Sequence, residues 1–208
     1  MNQILAQARK GLLMKPDLAQ KTYDGIKTET RRIITPQPHV LSGTWYQRDP
    51  TDLLYRKQYH DYWHFISPSG KENYVPPIRS PYTINDYLWI RETWAWCPKA
   101  GGHYLYHGEN DGDFETCHVD KWRPSLFMPK VACRQVVQIV DIAVERLHDI
   151  TYQGVLNEGI ETSQQTWYED FALRWDMINA KRGFHWVDNW WVWVIKYKTA
   201  WRKYESNT

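Results

Sequence analysis

Residues 24–32, Asp-Gly-Ile-Lys-Thr-Glu-Thr-Arg-Arg, concentrate side chains that can act on a ligand. Lys27, Arg31 and Arg32 supply cationic donors, and Thr30 supplies a hydroxyl group close to them. Donors of this kind suit a phosphate, the edge of a nucleobase or a polarised carbonyl. The segment therefore indicates an anion-binding or acyl-binding site. The alternative is a solvated basic turn that binds nothing.

The charge around this segment is uneven. Residues 9–32 contain seven lysines and arginines but only three acidic residues. The whole chain of 208 residues has a formal net charge of +2 and a pI near 8.3. A basic patch on a nearly neutral protein favours an anionic ligand at one site over a long electrostatic track.

Composition indicates a folded protein rather than a disordered one, with 42% hydrophobic and 24% charged residues. The cysteines Cys97, Cys117 and Cys133 follow no spacing pattern, so we expect reduced thiols. The longest apolar run, residues 190–195, is too short to span a membrane, and no signal peptide is recognisable. We therefore expect a cytoplasmic protein without a membrane partner.

Tryptophan and tyrosine are unusually frequent, with 13 and 14 residues against five phenylalanines. Aromatic rings that carry a polar group suit interfaces, grooves and surfaces on which bases stack. The alternative is that these rings build the core of a small barrel, and we expect this for most of them.

Local signals predict the elements that position residues 24–32. Residues 11–15 are predicted to form a short strand, and Pro16 is suited to the first turn of a helix. Gly25 supplies the stop of that helix, which places Lys27 in a turn between helix and strand. A strand with alternating faces is predicted to follow from Thr28.

Two polar residues interrupt apolar rows of predicted strands. Glu92 lies in the strand 88–94, and Gln138 lies in the strand 133–144. A buried carboxylate or amide is costly without a partner, so we expect Glu92 to meet a lysine, an arginine or a backbone donor. The alternative is that the strand ends at Arg91 and leaves Glu92 exposed.

The remaining chain is predicted to hold two irregular, aromatic-rich insertions, residues 35–83 and 97–120. A β-hairpin around residues 59–74 is expected inside the first insertion. Further elements are a short helix that starts at Asp149 or Thr151 and ends near Gly159, an amphipathic helix over 163–179 and a buried strand over 190–197.

The second insertion also contains five residues that ligate metals in other proteins: Cys97, His103, His107, Cys117 and His118. Their spacing matches none of the usual structural zinc sites, which favour closely spaced cysteine pairs. We therefore expect no metal, and we expect no other cofactor.

Several segments, in order, resemble the ASCH domains of the PUA-like superfamily, in the form common in bacteriophage and prophage genomes. The matching segments are 13–16 with 25–32, 88–94, 121–129, 144–150 and a closing strand at 191–195. The resemblance implies an α+β fold, a PUA-like curved β-barrel flanked by helices. It covers residues 11–199 as a single domain, with terminal extensions at 1–10 and 200–208.

Members of this superfamily bind RNA or modified bases in a cleft beside the first helix. The resemblance therefore implies that the partner is RNA, another nucleic acid or a modified nucleoside. The residues expected to contact it are Lys27, Thr30, Arg31, Arg32, Trp94, Trp122, Arg123, Lys130 and Gln138. Among these, the tryptophans are expected to stack bases and the cations to contact phosphates or base carbonyls.

A catalytic alternative follows from the same resemblance. A smaller relative is an amidohydrolase that removes the acetyl group of N4-acetylcytidine, and others have been proposed as ribonucleases. The amidohydrolase uses a lysine and a threonine that match Lys27 and Thr30. It also uses a glutamate, and Gln138 occupies the position of that glutamate in this chain. An amide cannot accept a proton as a carboxylate does. In this alternative Thr30 is the nucleophile, Lys27 is the base, and Glu92 or Gln138 orients them.

A third class of function is a phage protein that binds a host protein and blocks it. The insertions 35–83 and 97–120 are where such a surface is expected, because tyrosine and tryptophan dominate interface hot spots. Deleting the insertions would then abolish capture of the partner, whereas Lys27→Ala would not.

Overall fold

Proline, glycine and the alternation of apolar residues determine many element boundaries in the computed structural model. It describes residues 3–38, 44–47, 62–66, 77–109, 117 and 121–203. Its α-helices are α1 (Gln3–Gln7), α2 (Pro16–Tyr23), α3 (Tyr152–Asn157) and α4 (Trp167–Asn179). Its strands are β1 (Lys10–Leu13), β2 (Glu29–Ile33), β3 (Thr44–Gln47), β4 (Tyr62–Ile66), β5 (Ile78–Arg79), β6 (Tyr87–Arg91), β7 (Trp94–Cys97), β8 (His103–Tyr106), β9 (Gln135–Arg146) and β10 (Trp191–Arg202).

The strands form three sheets. The largest has the order β1-β6-β9-β10-β2, the second has the order β3-β4-β5, and β7 and β8 form a hairpin. β1 runs parallel to β6, whereas the β6–β9 and β10–β2 pairs are antiparallel. The mixture of helices and strands confirms the α+β class. Over the described ranges the sheets are open, so the predicted closed barrel is not confirmed.

The chain divides into two compact units, each built from separate segments. Unit one comprises residues 1–28, 85–140 and 197–208, and unit two comprises residues 29–84 and 141–196. The prediction of a single domain over residues 11–199 stays a prediction.

The core of unit one lies where α1, β6, β9 and the β7–β8 hairpin meet. Its buried members are Leu5, Ala8, Trp89, Trp94, Tyr106, Met128, Ala132, Cys133 and Val136. The core of unit two joins α3 and α4 to the first half of β10. Its buried members are Leu147, Ile150, Val155, Phe171, Trp175, Val192 and Val194. Burial of this apolar surface is the main favourable term in the folding of each unit.

Most of the predicted elements are present. The buried strand predicted at 190–197 is confirmed and extends to Arg202 as β10. Thr151 caps α3, because its side chain accepts a hydrogen bond from the backbone N–H of Gly154. The amphipathic helix predicted from residue 163 begins four residues later, at Trp167, as α4.

The two insertions are more regular than the sequence indicates. Residues 97–120 were predicted to be irregular, but β8 pairs with β7 in register from Trp94↔Tyr106 to Cys97↔His103. In the other insertion, β4 pairs with β3 and β5. The expected hairpin around residues 59–74 includes β4, but its turn lies outside the described residues. None of the helices in the described part of the chain has the length and apolar character needed to cross a bilayer.

Candidate functional site

The turn after α2 buries Lys27 in unit one. Pro16 occupies the first turn of α2, and Gly25 follows the helix with a φ of +79°. The chain then turns back, and the backbone N–H of Lys27 donates to the carbonyl oxygen of Lys21 at 3.0 Å. The Lys27 side chain is only 2% exposed, so the alternative of a solvated basic turn is wrong for this residue.

Thr30 and Arg32 lie on β2 in unit two, opposite Ile195 and Trp193 of β10. Thr30 is buried and Arg32 is half-buried. Lys27 belongs to the other unit. The catalytic pairing of Lys27 with Thr30 therefore stays a prediction.

Arg31 is the centre of a buried ionic network in unit two. Its Nε donates to Glu145 Oε1 at 2.7 Å, and its Nη1 lies 2.7 Å from Glu29 Oε1 and 3.3 Å from Glu158 Oε1. The backbone N–H of Arg31 also donates to Glu158 Oε1, at 2.7 Å. A phosphate would have to compete with three carboxylates for this guanidinium, so the geometry favours a structural role for Arg31 over ligand contact.

Burial and neighbouring charges shift the pKa values of Arg31 and Glu145 in this network. Burial lowers the pKa of Arg31, but attraction to Glu158, Glu145 and Glu29 outweighs it and leaves the pKa above its ordinary value. For Glu145, burial raises the pKa, and this effect together with repulsion from Glu29 and Asp149 outweighs the attraction of Arg31.

Glu92 forms a buried ion pair with Arg134 in unit one, and both side chains are 0% exposed. Arg134 Nε donates to Glu92 Oε1 at 2.9 Å, and Arg134 Nη2 donates to Glu92 Oε2 at 2.8 Å. The expectation that Glu92 meets a cationic or backbone donor is confirmed. β6 ends at Arg91, as the alternative proposed, but Glu92 is buried rather than exposed. A catalytic role would require Glu92 to give up a bidentate pair.

Other groups complete the surroundings of Arg134. Its Nη2 donates to Gln20 Oε1 at 2.9 Å, and its Nη1 contacts the carboxylate of Glu109. The rings of Tyr23 and Tyr106 lie 4.6 and 4.4 Å from its guanidinium carbon. Burial lowers the pKa of Arg134, but the hydrogen bonds and charges of its partners leave it above its ordinary value. Arg134 is not predicted as a site residue from the sequence, although a charged side chain within the largely apolar segment 131–137 is a usable signal.

Lys130 and Gln138 occupy separate parts of unit one. Lys130 Nζ donates to the carbonyl oxygen of Ala6 at 3.3 Å, which ties it to the last turn of α1. Gln138 is half-buried on β9, opposite Tyr87 of β6. Their predicted ligand contacts stay predictions.

The β7–β8 hairpin and two cations that contact its rings form a group that we name the hairpin surface: Trp96, Tyr104, Arg123 and Lys203. Trp96 is 45% exposed, and its ring centroid lies 4.8 Å from that of Tyr104. Lys203 Nζ lies 5.7 Å from the centre of the Tyr104 ring. Exposed rings flanked by cations are the components with which proteins hold single-stranded nucleic acid.

Buried Trp94 supports this surface from below. The guanidinium carbon of Arg123 lies 5.1 Å from the centre of the Trp94 ring, and two backbone hydrogen bonds join the two residues. The structure thus brings the predicted residues Trp94 and Arg123 together. Trp122 is half-buried and contacts the ring of His107 at 4.9 Å. Trp94 is 5% exposed, whereas Trp96 on the same face of β7 is 45% exposed; the predicted base contact of Trp94 stays a prediction.

A disulfide bond joins Cys97 to Cys117, which corrects the expectation of three reduced thiols. Sequence spacing could not reveal this bond, because the two cysteines are 20 residues apart and only the fold shows that they are neighbours. His103 Nε2 lies 3.9 Å from the Cys117 sulfur. Cys133 is a free, buried thiol, and burial raises its pKa to about 12.

A weak structural similarity links this chain to a protein of Enterococcus faecalis. No family model and no curated protein matches the chain. The crystal structure of protein EF3133 from Enterococcus faecalis V583, family-model DUF984, has a TM-score of 0.43 and 8% identity. The match covers 90% of this chain and 69% of that one. A similarity of this strength carries no argument about function.

Proposed function

We propose that this protein binds single-stranded nucleic acid, RNA in the first place, or a modified nucleoside. The observation that carries the proposal is the hairpin surface. In it an exposed Trp96 contacts a half-buried Tyr104, Lys203 lies over the Tyr104 ring, and Arg123 lies over the adjoining Trp94 ring. We assign the protein to the ASCH type of the PUA-like superfamily as part of the same proposal, supported by the ordered sequence segments and the α+β fold.

The chemistry of the hairpin surface fits a flexible polyanion with exposed bases. The ring of Trp96 offers a face to a base, and each stacked base contributes about 1–3 kcal/mol. Arg123 is exposed, its backbone is bonded to Trp94, and its guanidinium packs over the Trp94 ring, from where it can contact a phosphate. A duplex hides its bases in the stack, so we expect single strands to bind better than duplexes.

Fluorescence anisotropy tests this proposal with labelled single-stranded and duplex RNA and DNA. We expect the full chain to bind single strands, and Trp96→Ala to weaken binding by about tenfold or more because one stacking partner is lost. Arg123→Ala is expected to weaken binding and to reduce its dependence on salt.

Two matched variants serve as controls. Phe127→Ala removes an aromatic ring that is 69% exposed outside the hairpin surface, and Lys181→Ala removes an exposed cation of unit two. Both should bind like the wild type. If the hairpin variants bind normally while the Lys27→Ala/Arg32→Ala pair loses the ligand, the site lies at residues 24–32 instead. Absence of binding to any single strand or modified nucleoside would refute the proposal.

A second candidate is hydrolysis of an N4-acetylcytidine-like nucleoside, and the burial of Lys27 favours it. A lysine that is 2% exposed is removed from water, and desolvation is one of the ways in which proteins activate a catalytic lysine. Incubation with N4-acetylcytidine should then release cytidine, and both Lys27→Ala and Thr30→Ala should abolish the release. Thr30→Ser should keep part of it, because the hydroxyl is retained. A wild-type chain that releases no cytidine would exclude this substrate.

A further inference from the structure

Three metal-ligating side chains converge at the end of the β7–β8 hairpin. Cys97 and His103 are directly opposite each other at the last pair of this hairpin. Cys117 reaches the same point from the following segment. One ligand atom from each of the three residues lies within 4.8 Å of the other two.

The types of these ligands suit zinc. Two cysteine sulfurs and one imidazole nitrogen form a recurrent zinc-binding set, in which a water molecule or another donor takes the fourth position. Zinc–sulfur distances of about 2.3 Å and zinc–nitrogen distances of about 2.0 Å place tetrahedral ligand atoms about 3.5–3.8 Å apart. His103 Nε2 and Cys117 Sγ are separated by 3.9 Å, so this nitrogen–sulfur pair would have to close by only about 0.4 Å.

The surroundings of the two sulfurs are apolar and disfavour an uncompensated thiolate. Cys97 is 0% exposed and Cys117 is 4% exposed, and they pack with Ala95 and Leu105. A thiolate in apolar surroundings is unfavourable without a counter-charge. One Zn²⁺ with two thiolates and a neutral imidazole has no net charge. A disulfide removes the same charges by forming a covalent bond.

We propose that Cys97, His103 and Cys117 form a redox-gated zinc site: the reduced chain binds one Zn²⁺, and the oxidised chain holds the disulfide instead. Two molecules of a small thiol reductant supply two electrons and two protons. The Sγ–Sγ bond breaks, both sulfurs become thiols, and the reductant becomes its own disulfide. Zn²⁺ then binds with release of the two protons. Oxidation by a disulfide reverses these steps and expels the metal. The proposal is independent of nucleic-acid binding.

Titration of the full chain with Co²⁺ as a spectroscopic substitute, and then with Zn²⁺, tests this site. In the chain reduced with a phosphine and freed of metal, we expect one Co²⁺ per chain and an absorption band from thiolate-to-cobalt charge transfer. Zn²⁺ should displace the Co²⁺. The oxidised chain should show no such band. Affinity should fall as the pH is lowered, because protons compete for the sulfurs and the imidazole.

Variants separate this cluster from other donors. Cys97→Ser and Cys117→Ser should each abolish the charge-transfer band, and His103→Ala should weaken binding by more than about tenfold. Cys133→Ser should bind normally, because burial keeps that thiol protonated. His107→Ala, which removes a histidine just beyond β8, should also bind normally. If the reduced wild-type chain takes up no stoichiometric metal, or if the serine variants bind like the wild type, the proposal is wrong. Because the wild-type titration involves no substitution, a variant that fails to fold does not prevent the test.

Discussion

Arg31 and Arg134 show how charged side chains are accommodated inside this protein. Each guanidinium lies in the interior of one unit and meets carboxylates there, Glu29, Glu145 and Glu158 for Arg31, and Glu92 and Glu109 for Arg134. Such pairs contribute little net stability, because their attraction is offset by the loss of hydration, but breaking one is strongly unfavourable. A charged residue that the sequence indicates as a ligand contact can therefore be a member of a buried ion pair instead.

Removal of Arg134 is the sharpest test of this view. We expect Arg134→Met to lower the free energy of unfolding by about 3–5 kcal/mol, because Glu92 would keep a buried charge without its counter-ion. Urea denaturation followed by circular dichroism measures the change. The double variant Glu92→Leu/Arg134→Met should recover much of the loss, since it removes both charges. A loss below about 1 kcal/mol in the single variant would contradict the buried pair.

The raised pKa of Glu145 predicts a pH dependence of stability. Burial favours the protonated carboxyl of Glu145 in the folded state. The stability that this raised pKa contributes is fully present below the ordinary glutamate pKa of about 4.3, and it is lost as the pH rises through the folded-state pKa. Glu145→Gln imitates the protonated form and keeps an acceptor for Arg31 Nε. We expect the stability of this variant relative to the wild type to increase from acidic to neutral pH.

Urea denaturation at several pH values measures this difference. Glu161→Gln, a change at an exposed carboxyl of the same unit, is the matched control and should show a smaller trend. A relative stability of Glu145→Gln that falls toward neutral pH would show that attraction to Arg31 outweighs burial.

At the scale of elements, the β7–β8 hairpin positions both proposed sites. One face of its strands carries Trp94, Trp96 and Tyr104, and its last pair carries Cys97 and His103. The connection between the strands contains Gly101 and Gly102, with φ values of +85° and +89°. Both values lie in the region that side chains rarely adopt. A Cβ atom on Gly102 would lie 2.3 Å from the ring of Trp96, so glycine there also makes room for the exposed indole.

A pair of glycine variants separates these two effects. Both Gly101→Ala and Gly102→Ala should lower the free energy of unfolding by about 1–3 kcal/mol, because each forces alanine into a strained conformation. Only Gly102→Ala should also weaken binding of single-stranded RNA, because it displaces the Trp96 ring. At Gly101 a Cβ atom meets nothing within 4 Å. Denaturation and anisotropy titrations report the two effects, and equal RNA affinities for the two variants would argue against Trp96 as a stacking residue.

At the scale of the whole molecule, charge limits the kind of nucleic-acid binding that is expected. The net charge is +2, and the hairpin surface contributes two cations, Arg123 and Lys203. Each neutralised phosphate of a single strand contributes about −0.7 to the slope of log K against log salt concentration. We therefore expect a slope of about −1.4 for the wild type and about −0.7 for Arg123→Ala. A slope steeper than about −4, measured by anisotropy, would require a longer basic track.

Local patterns explain which elements the sequence predicts well. Pro16 and Gly25 delimit α2, alternation predicts β9, and a run that is apolar on both faces predicts β10, because these signals act within a few residues. The sequence pattern does not predict the β7–β8 hairpin, because each of its strands is only four residues long. In addition, the predicted strand 88–94 includes Trp94, which is the first residue of β7. Such short strands are stabilised by pairing with each other, which a linear pattern does not show.

The sequence by itself determined the α+β class, the buried strand at 191–195 and the need of Glu92 for a partner. Only the tertiary structure decided which residues form ion pairs with Glu92 and Arg31. Arg134 is separated from Glu92 by 42 residues, and Glu158 is separated from Arg31 by 127. The disulfide bond between Cys97 and Cys117, beside His103, is likewise a contact that only the tertiary structure shows. Burial and periodicity are properties of short segments. The choice of a partner among many distant groups depends instead on how the chain packs. Only packing brings such groups within the few ångströms over which hydrogen bonds and metal bonds act.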